Sequence, residues 1–309
     1  MRWIKKGLIF KANGEYGWIK SHAQIPTVLV LEDRLRVYFA TRPEIGLTYS
    51  AMMDLDIKNP QNILKIYDKP VLTPGEEGHF DEHGAMPNFV YRKDDGEIYF
   101  YYAGWSRRTT IPYSNWEGLA VSNDNGLTFE KMFIGPVMDR TRDEIYSALA
   151  VNFEKYDGEY YGNYVTGTKW IEANGKLESM YEIVFTKSKD LINWERNTTP
   201  LLPTKLKNEA NTRPSFIKIN DTYHMWFCYR GIEDFRDGKD AYRIGYAYSK
   251  DLKNWTRDDD NAGIEVSPDG WDSKMLAYPY VVKTPYGIYM FYNGNGFGQS
   301  GFGYAVLEE

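Results

Sequence analysis

The sequence predicts an all-β protein, a five-bladed β-propeller built from four-stranded antiparallel blades. Short runs rich in aromatic and β-branched residues alternate with Asn, Asp and Gly turns, a pattern typical of β-hairpins. One design, a polar lead-in followed by two apolar strands, occurs five times along the 309 residues. Aromatic residues make up 16% of the chain without long Ala, Leu and Glu stretches, which favours strands over helices.

The fourth copy, residues 208–231, shows the design most clearly. A polar entry at 209–213 precedes an apolar strand, an Asn220-Asp221 turn and an aromatic strand. The other copies occupy residues 21–42, 81–105, 143–170 and 272–296. Aligning the residues that begin the first strands gives blades that start near Pro26, Pro87, Ala148, Pro214 and Pro279, with spacings of 61, 61, 66 and 65 residues.

A second signature predicts the third and fourth strands of each blade. In the middle copies, at residues 120–130, 185–195 and 247–256, a strand leads through a polar turn into another strand that opens on an aromatic residue. The last copy ends after its third strand, 301–307, whereas a strand-like stretch at 7–11 precedes the first copy. We expect this N-terminal strand to complete the last blade and close the ring. No linker interrupts the pattern, so residues 1–309 are predicted to form a single domain.

Charge, cysteine content and hydropathy limit the partners and cofactors that we expect for this chain. The net charge is −6 without a run of Lys or Arg, so nucleic acid is not expected as a partner. Cys228 is the sole cysteine, which excludes a disulfide within the chain, and zinc-type spacing is absent. No apolar run has the length of a membrane span or a signal-peptide core, which predicts a cytoplasmic protein that does not contact membranes. No metal or cofactor is demanded by any motif, and nothing in the pattern predicts an oligomeric state.

Propeller geometry places the candidate site. The entries into the innermost strands and the loops between second and third strands open on one face, so their side chains should converge near the axis. The aromatic residues suit a carbohydrate partner, because their rings stack on the apolar faces of sugars. The inner entries supply Asp81, Glu144, Glu209, Asp272, His22, His83 and Arg213, and the outer loops supply Arg42, Trp105, Arg107, Lys169, Arg230, Asn293 and Asn295.

The repeated S-K-D-L-x-N-W, the inner hairpin DGEIYFYYAGW and the acidic inner entries resemble the five-bladed propeller glycosidases, which include glycoside hydrolase families 43, 32 and 130. The resemblance covers nearly the whole chain and implies glycosidic bond cleavage or glycosyl transfer in the axial funnel by two carboxylates. It implies Glu144 as the acid of the third blade, with Asp81 or Glu82 as an acidic neighbour that tunes its pKa. Glu209 and Asp272 are further candidates.

The first inner strand departs from this pattern. Families 43 and 32 carry an Asp there, whereas this chain has Ser21-His22-Ala23-Gln24. Either His22 acts as the base, or it donates a hydrogen bond to sugar or backbone.

A phosphorylase of the family 130 type is one alternative function, in which Arg, Lys and His side chains hold phosphate or a phosphorylated, anionic glycan. A glycan-binding propeller that has lost its base is the other. The cations available for an anion are Arg42, His83, Arg107, Arg108, Lys169, Arg213 and Arg230.

Overall fold

The computed structural model describes residues 1–14, 16–236 and 238–308, and nearly all of its regular structure is β-strand. This confirms the all-β prediction. Strand β1 (Trp3–Phe10) is followed by four groups of four strands and a final group of three. We call each group a unit. Unit 1 is β2 (Ser21–Val30), β3 (Arg34–Arg42), β4 (Tyr49–Asp56) and β5 (Ile63–Ile66); unit 2 is β6 (Gly84–Arg92), β7 (Ile98–Arg107), β8 (Tyr113–Ser122) and β9 (Glu130–Lys131).

Units 3 to 5 follow in the same way. Unit 3 is β10 (Ser147–Tyr156), β11 (Glu159–Ala173), β12 (Lys176–Ser188) and β13 (Trp194–Pro200); unit 4 is β14 (Ala210–Ile219), β15 (Thr222–Arg230), β16 (Arg243–Ser249) and β17 (Trp255–Arg257); unit 5 is β18 (Ala277–Thr284), β19 (Gly287–Asn293) and β20 (Phe302–Leu307). Among the described residues, helical structure is limited to a 3₁₀ turn at Asp259–Asn261 and a short turn, α1, at Asn295–Gly298. No helix in the described part of the chain is both long and apolar enough to span a membrane.

Strands within each unit pair antiparallel in chain order. Strand β1 pairs antiparallel with β20, from Trp3 opposite Leu307 to Phe10 opposite Phe302, so the N-terminal strand forms the outer edge of unit 5. A short parallel pairing between β8 and β10 joins units 2 and 3. The first strands contact one another in the order β2, β6, β10, β14 and β18, and β18 contacts β2 again.

The hydrophobic core lies between neighbouring units. Each of five clusters is shared by two consecutive units, including one that joins unit 5 to unit 1. Aromatic rings are prominent in these clusters, in keeping with the 16% aromatic content of the chain. Ring pairs that join neighbouring units include Tyr38–Phe100, Tyr101–Phe153 and Phe39–Phe302.

A β-bulge marks the start of the straight segment of most first strands. The residues at this bulge have a positive φ of 54° at Ile25, 59° at Ala150, 56° at Arg213 and 55° at Tyr278. The residue of unit 3 equivalent to Pro26 is therefore Val151, three residues after the Ala148 of the sequence alignment, and strand β10 itself begins at Ser147. The third copy has no proline at this position to mark the register, and the backbone conformation reveals it instead.

Candidate functional site

A cavity of about 400 Å³ is lined by residues from all five units. Its wall includes the bulge residues Ile25, Ala150, Arg213 and Tyr278, together with Met86, which precedes Pro87 in unit 2. A bulge re-aims a side chain and breaks the regular alternation of a strand. Each innermost strand thus supplies one of these five residues, which together we call the cavity floor, and none of the five is a carboxylate.

Three cations line the cavity, namely Arg42, Lys169 and Arg213, and among the described residues that line it there is no Asp or Glu. Arg42 donates to Gln24 Oε1 at 3.3 Å, and burial lowers the pKa of its guanidinium. Lys169 lies near Glu182, whose pKa is raised by burial and lowered in part by the Lys169 charge. Burial desolvates two of these cations, Arg42 and Arg213, and a desolvated cation in a lining without a described carboxylate attracts a negatively charged ligand.

Arg213 is held by a buried polar network. Its Nη1 donates to Asn88 Oδ1 at 3.3 Å and its Nη2 donates to Thr27 Oγ1 at 2.8 Å. The guanidinium carbon lies 5.4 Å from the centre of the Tyr280 ring. Burial lowers the pKa of Arg213 to about 10, which leaves it charged at neutral pH. It makes no salt bridge with any described residue.

Glu117 on β8 lies behind this network and is fully buried. Its Oε1 accepts a hydrogen bond from Asn88 Nδ2 at 2.9 Å, and its Oε2 accepts one from the Val151 backbone N–H at 3.2 Å. Burial raises the pKa of Glu117 to about 7. Asn88 therefore connects a buried carboxylate to the buried arginine of the cavity floor.

Aromatic side chains and unpaired polar atoms complete the lining. Trp105, Tyr113 and Trp170 line the cavity, and the Tyr113 and Trp170 rings meet edge to face at 5.1 Å. Four buried polar atoms on lining residues have no hydrogen-bond partner within the described residues, namely Trp105 Nε1, Asn115 Oδ1, Trp170 Nε1 and Arg213 Nε. Buried polar groups in native proteins are nearly always paired, so these four atoms leave hydrogen-bonding capacity beside the cavity for a polar partner.

The four acids predicted to be catalytic do not line the cavity. Asp81 accepts from Lys131 Nζ at 2.6 Å and Tyr102 Oη at 3.2 Å, and Asp272 accepts from Lys5 Nζ at 2.7 Å and Tyr292 Oη at 3.1 Å. The cations lie on the outermost strands of the same units. Each acid is therefore fixed against the outer edge of its unit.

Glu144 and Glu209 follow the same arrangement in units 3 and 4. Glu144 pairs with Arg196 at 3.2 Å and accepts from Tyr164 Oη at 2.7 Å. Glu209 pairs with Arg257 and accepts the backbone N–H groups of residues 205 and 206. We call these four arrangements clasps. The structure does not bring the four acids together at the cavity, and their catalytic role stays a prediction.

The two predicted histidines lie outside the cavity lining. Burial and the Arg42 charge lower the pKa of His22 to about 4, and its Nδ1 is 3.1 Å from Ser21 Oγ. The His83 ring lies 5.5 Å from the Trp105 ring, and its Nδ1 is 3.6 Å from Glu82. No group of three or more His, Cys, Asp or Glu residues in the described chain could hold a metal ion.

Two predicted arginines and two predicted asparagines also lie outside the lining. Arg230 donates to Tyr181 Oη at 3.0 Å and to two backbone carbonyls, so it positions a tyrosine that does line the cavity. Arg107 is exposed and packs against Gly46, where a Cβ would overlap its guanidinium.

Asn293 and Asn295 are occupied by structural hydrogen bonds. Asn293 accepts from the Ile25 N–H at 2.7 Å and donates to the Ala23 carbonyl at 2.6 Å. Asn295 accepts from the backbone N–H groups of Lys274 and Met275. The side chains of these two predicted site residues therefore fix the chain around unit 5.

Sequence reasoning missed Asn88, Asn115 and Glu117. The only signal was a lone Glu in the run NWEGLAVS of β8, which is otherwise mostly apolar. Without the pairing of β6, β8 and β10, this residue looks like an ordinary solvent-facing strand position.

Comparison with known proteins supports the fold and gives a family. No family model matches this chain. The chain is 34% identical over 310 residues to the uncharacterized protein MT1551 of Mycobacterium tuberculosis strain CDC 1551 / Oshkosh, with complete coverage of both chains. The uncharacterized protein Rv1502 of strain H37Rv matches equally, at 34% identity and complete coverage. This chain belongs to their family. A more distant relative, 28% identical over 74% of this chain and 70% of its own length, is a 1,2-beta-oligomannan phosphorylase of Thermoanaerobacter sp. strain X514.

Solved structures show the same fold. A thermostable family-43 glycoside hydrolase has a TM-score of 0.66 at 20% identity, covering 93% of this chain and 88% of its own. A member of the GH130 family of mannoside phosphorylases has a TM-score of 0.72 at 15% identity, covering 99% and 93%. The GH32 beta-fructofuranosidase BmSUC1 of Bombyx mori has a TM-score of 0.61 at 14% identity, covering 94% and 62%. The resemblance to the propeller glycosidases is confirmed, and the chain has their fold.

Proposed function

We propose that this protein is a carbohydrate-active enzyme whose cavity binds a glycan together with a negatively charged group. The observation that carries the proposal is the charge of the lining, which contains Arg42, Lys169 and Arg213 but no described carboxylate. The aromatic side chains beside these cations suit the apolar faces of sugars.

Phosphate is the anion that this lining favours for catalysis. A hydrolase needs two carboxylates near the glycosidic bond, whereas a phosphorylase uses bound phosphate as the nucleophile. In that reaction the glycosidic carbon–oxygen bond breaks and a carbon–oxygen bond to phosphate forms. The departing hydroxyl gains the proton that hydrogen phosphate loses, so atoms and charge balance. The 28% identical relative named as an oligomannan phosphorylase is consistent with this assignment.

A glycan-binding protein without catalysis is the second candidate. It is favoured by the same lining, because no described carboxylate lies where a general acid would contact the ligand. Both candidates require the ligand to occupy the cavity, and they differ in turnover alone.

An assay with and without inorganic phosphate separates these functions. The protein is incubated with a panel of oligosaccharides that includes 1,2-β-linked mannan oligomers, and released sugars are resolved by chromatography. Sugar 1-phosphate that forms only with phosphate supports the phosphorylase. Release of free sugar without phosphate overturns the role of phosphate. Binding without turnover selects the second candidate.

Charge-removing variants test the site itself. Arg42→Gln or Lys169→Gln should weaken glycan or phosphate binding at least about tenfold, since each removes a charge-assisted hydrogen bond. Arg142→Gln removes an exposed cation outside the lining and serves as the matched control. Equal affinity in all three variants would contradict the assignment of the cavity.

We also propose that the five units are the blades of a closed ring that forms one domain over residues 1–309. The contacts among the first strands, which return from β18 to β2, support this arrangement. So does the core cluster shared by units 5 and 1.

A further inference from the structure

We propose that Arg213 and Glu117 form a proton-coupled anion subsite, in which one compact anion binds Arg213 while Glu117 takes up a proton. The subsite takes the chemical class of phosphate, sulfate or carboxylate. The proposal rests on the proposed function, because it assumes that the cavity receives an anion, and it adds the residue that binds the anion and the proton that accompanies it.

Arg213 has free capacity for such a ligand. Its Nε has no hydrogen-bond partner within the described residues, and its two occupied nitrogens donate to neutral oxygens of Asn88 and Thr27. A guanidinium with neutral partners gains more from an anion than one already paired with a carboxylate, because its charge is still uncompensated.

Glu117 is the nearest carboxylate in this network, and one side chain separates it from Arg213. Its two oxygens accept from Asn88 Nδ2 and from the Val151 N–H, so its ionised form satisfies both donors. Burial raises the pKa of Glu117 to about 7, so a small further change in its surroundings alters its protonation near neutral pH. An anion at Arg213 adds a negative charge in a poorly solvated site and favours the protonated form.

Asn88 gives this coupling a hydrogen-bond route. Its amide now directs Nδ2 to Glu117 and Oδ1 to Arg213. When the anion binds Arg213 Nη1, Asn88 can turn its amide, and its oxygen then accepts a hydrogen bond from the O–H of protonated Glu117. Without an anion on Arg213, the same turn would place two hydrogen-bond donors, Asn88 Nδ2 and Arg213 Nη1, opposite each other. Protonation and anion binding therefore support each other.

The other groups that face this pair do not compete for the proton. The charge of Glu117 acts on Tyr101 and Tyr102 of β7, and burial raises the pKa of both phenols above 10. Tyr278, Tyr280 and Cys228 face Arg213, and burial raises the pKa of each of these groups as well. Across the neutral range Glu117 is thus the titrating group of the network.

Titration calorimetry with sodium sulfate tests the proposal, because sulfate does not itself titrate near neutral pH. Binding is measured in two buffers of different ionisation enthalpy, from about pH 6 to about pH 8.5. We expect net proton uptake and an affinity that falls about tenfold over this range, the equivalent of a one-unit shift in the pKa of Glu117. The same titration is carried out with glucuronate, an anionic sugar, and with glucose, a neutral sugar. If sulfate does not bind at all, proton uptake with glucuronate but not with glucose would place the anion on the sugar and not free in solution.

Variants assign the residues. Glu117→Gln should still bind sulfate, without proton uptake and without the fall in affinity at higher pH. Arg213→Gln should lose sulfate binding. Glu154→Gln is the control, because Glu154 is a half-buried carboxylate whose pKa burial also raises, but it lies near Lys218 and Lys283 and does not line the cavity. Thermal unfolding of each variant establishes that it is folded.

The outcomes separate this inference from the proposed function. If no anion binds the wild-type protein, the proposed function and this inference both fail. Sulfate binding without proton uptake, or with proton uptake that persists in Glu117→Gln, overturns the inference alone. Loss of binding in Arg42→Gln with full binding in Arg213→Gln also overturns it.

Discussion

Glu144 and Glu117 are both buried carboxylates, and their partners give them different roles. Glu144 is paired with Arg196 and Tyr164, so its charge is compensated within its own unit. Glu117 accepts only neutral donors and lies next to the cavity floor through Asn88. An acidic residue in the entry to a first strand is therefore not by itself evidence of a catalytic acid. The partner of each carboxylate decides whether its charge stabilises the fold or remains close to the ligand site.

The clasp of unit 3 should stabilise the fold and leave ligand binding alone. Glu144→Gln leaves Arg196 buried without its anion, so we expect the free energy of unfolding to fall by about 3 kcal/mol. Urea denaturation measures this loss, and sulfate affinity should not change. Asp143→Asn, at the exposed neighbouring position, is the control and should stay within about 0.5 kcal/mol of wild type. Loss of turnover in Glu144→Gln with unchanged stability would instead restore Glu144 as the catalytic acid.

His22 should stay neutral throughout the physiological pH range. Burial, assisted by the Arg42 charge, depresses its pKa from 6.5 to about 4, so the ring gains its proton only as the pH falls toward 4. NMR titration of the imidazole C–H signals measures this directly. Arg42→Gln removes the assisting charge and should raise the midpoint. A midpoint near 6.5 in the wild-type protein would contradict the buried environment and make His22 a stronger base.

At the scale of the strand, the bulge in the first strand of four units builds the cavity. It puts a residue with positive φ at positions 25, 150, 213 and 278, and all four side chains line the cavity. This conformation is costly for residues with a Cβ, and such strain is concentrated at functional sites when the surroundings fix it. The bulge accordingly serves the site at a cost to local stability.

Glycine substitutions in β10 measure that cost. Ala150→Gly relieves a positive φ of 59°, whereas Ala148→Gly falls at a regular paired position of the same strand, where it loses both a methyl contact and backbone rigidity. We expect Ala150→Gly to be at least about 1 kcal/mol more stable than Ala148→Gly in urea denaturation. Both alanines are buried, so they form a matched pair. Equal stabilities would show that the bulge carries no strain.

At the scale of the whole molecule, the two ends of the chain meet in unit 5. The β1–β20 pairing and the edge-to-face contact of Trp3 with Trp226 at 5.0 Å attach the N-terminal strand to units 4 and 5. Lys5 on β1 supplies the cation of the unit 5 clasp at 2.7 Å from Asp272. The other three clasps use a cation from within their own units, so this one is the clasp that joins distant parts of the sequence.

Lys5→Met tests the clasp between the ends of the chain. It leaves Asp272 buried without its cation, so the free energy of unfolding should fall by about 3 kcal/mol. Lys6→Met changes an exposed neighbour on the same strand and should have little effect. Chemical denaturation compares the two variants. Equal losses would mean that the charge pair does not hold the ends together.

The sequence predicted most of the architecture, because turn chemistry and strand alternation are local. The Ser-x-Asp turns between third and fourth strands illustrate this, since Ser249 and Asp251 bond to the backbone of the residues that follow them. The strand pattern and the partner of β1 were predicted from the same signals. The position of the bulge in unit 3 was not predicted, because no proline marks it.

The tertiary structure alone decided the site. Whether a lead-in acid faces the axis or a cation on the outermost strand depends on where the fourth strand lies, and no local pattern contains that information. The network of Arg213, Asn88 and Glu117 joins β14, β6 and β8, which are far apart in the chain. By itself, the sequence determined the strands and their order. The packing of the units determined which charges are paired and which remain available to a ligand, because burial and pairing are properties of the folded chain.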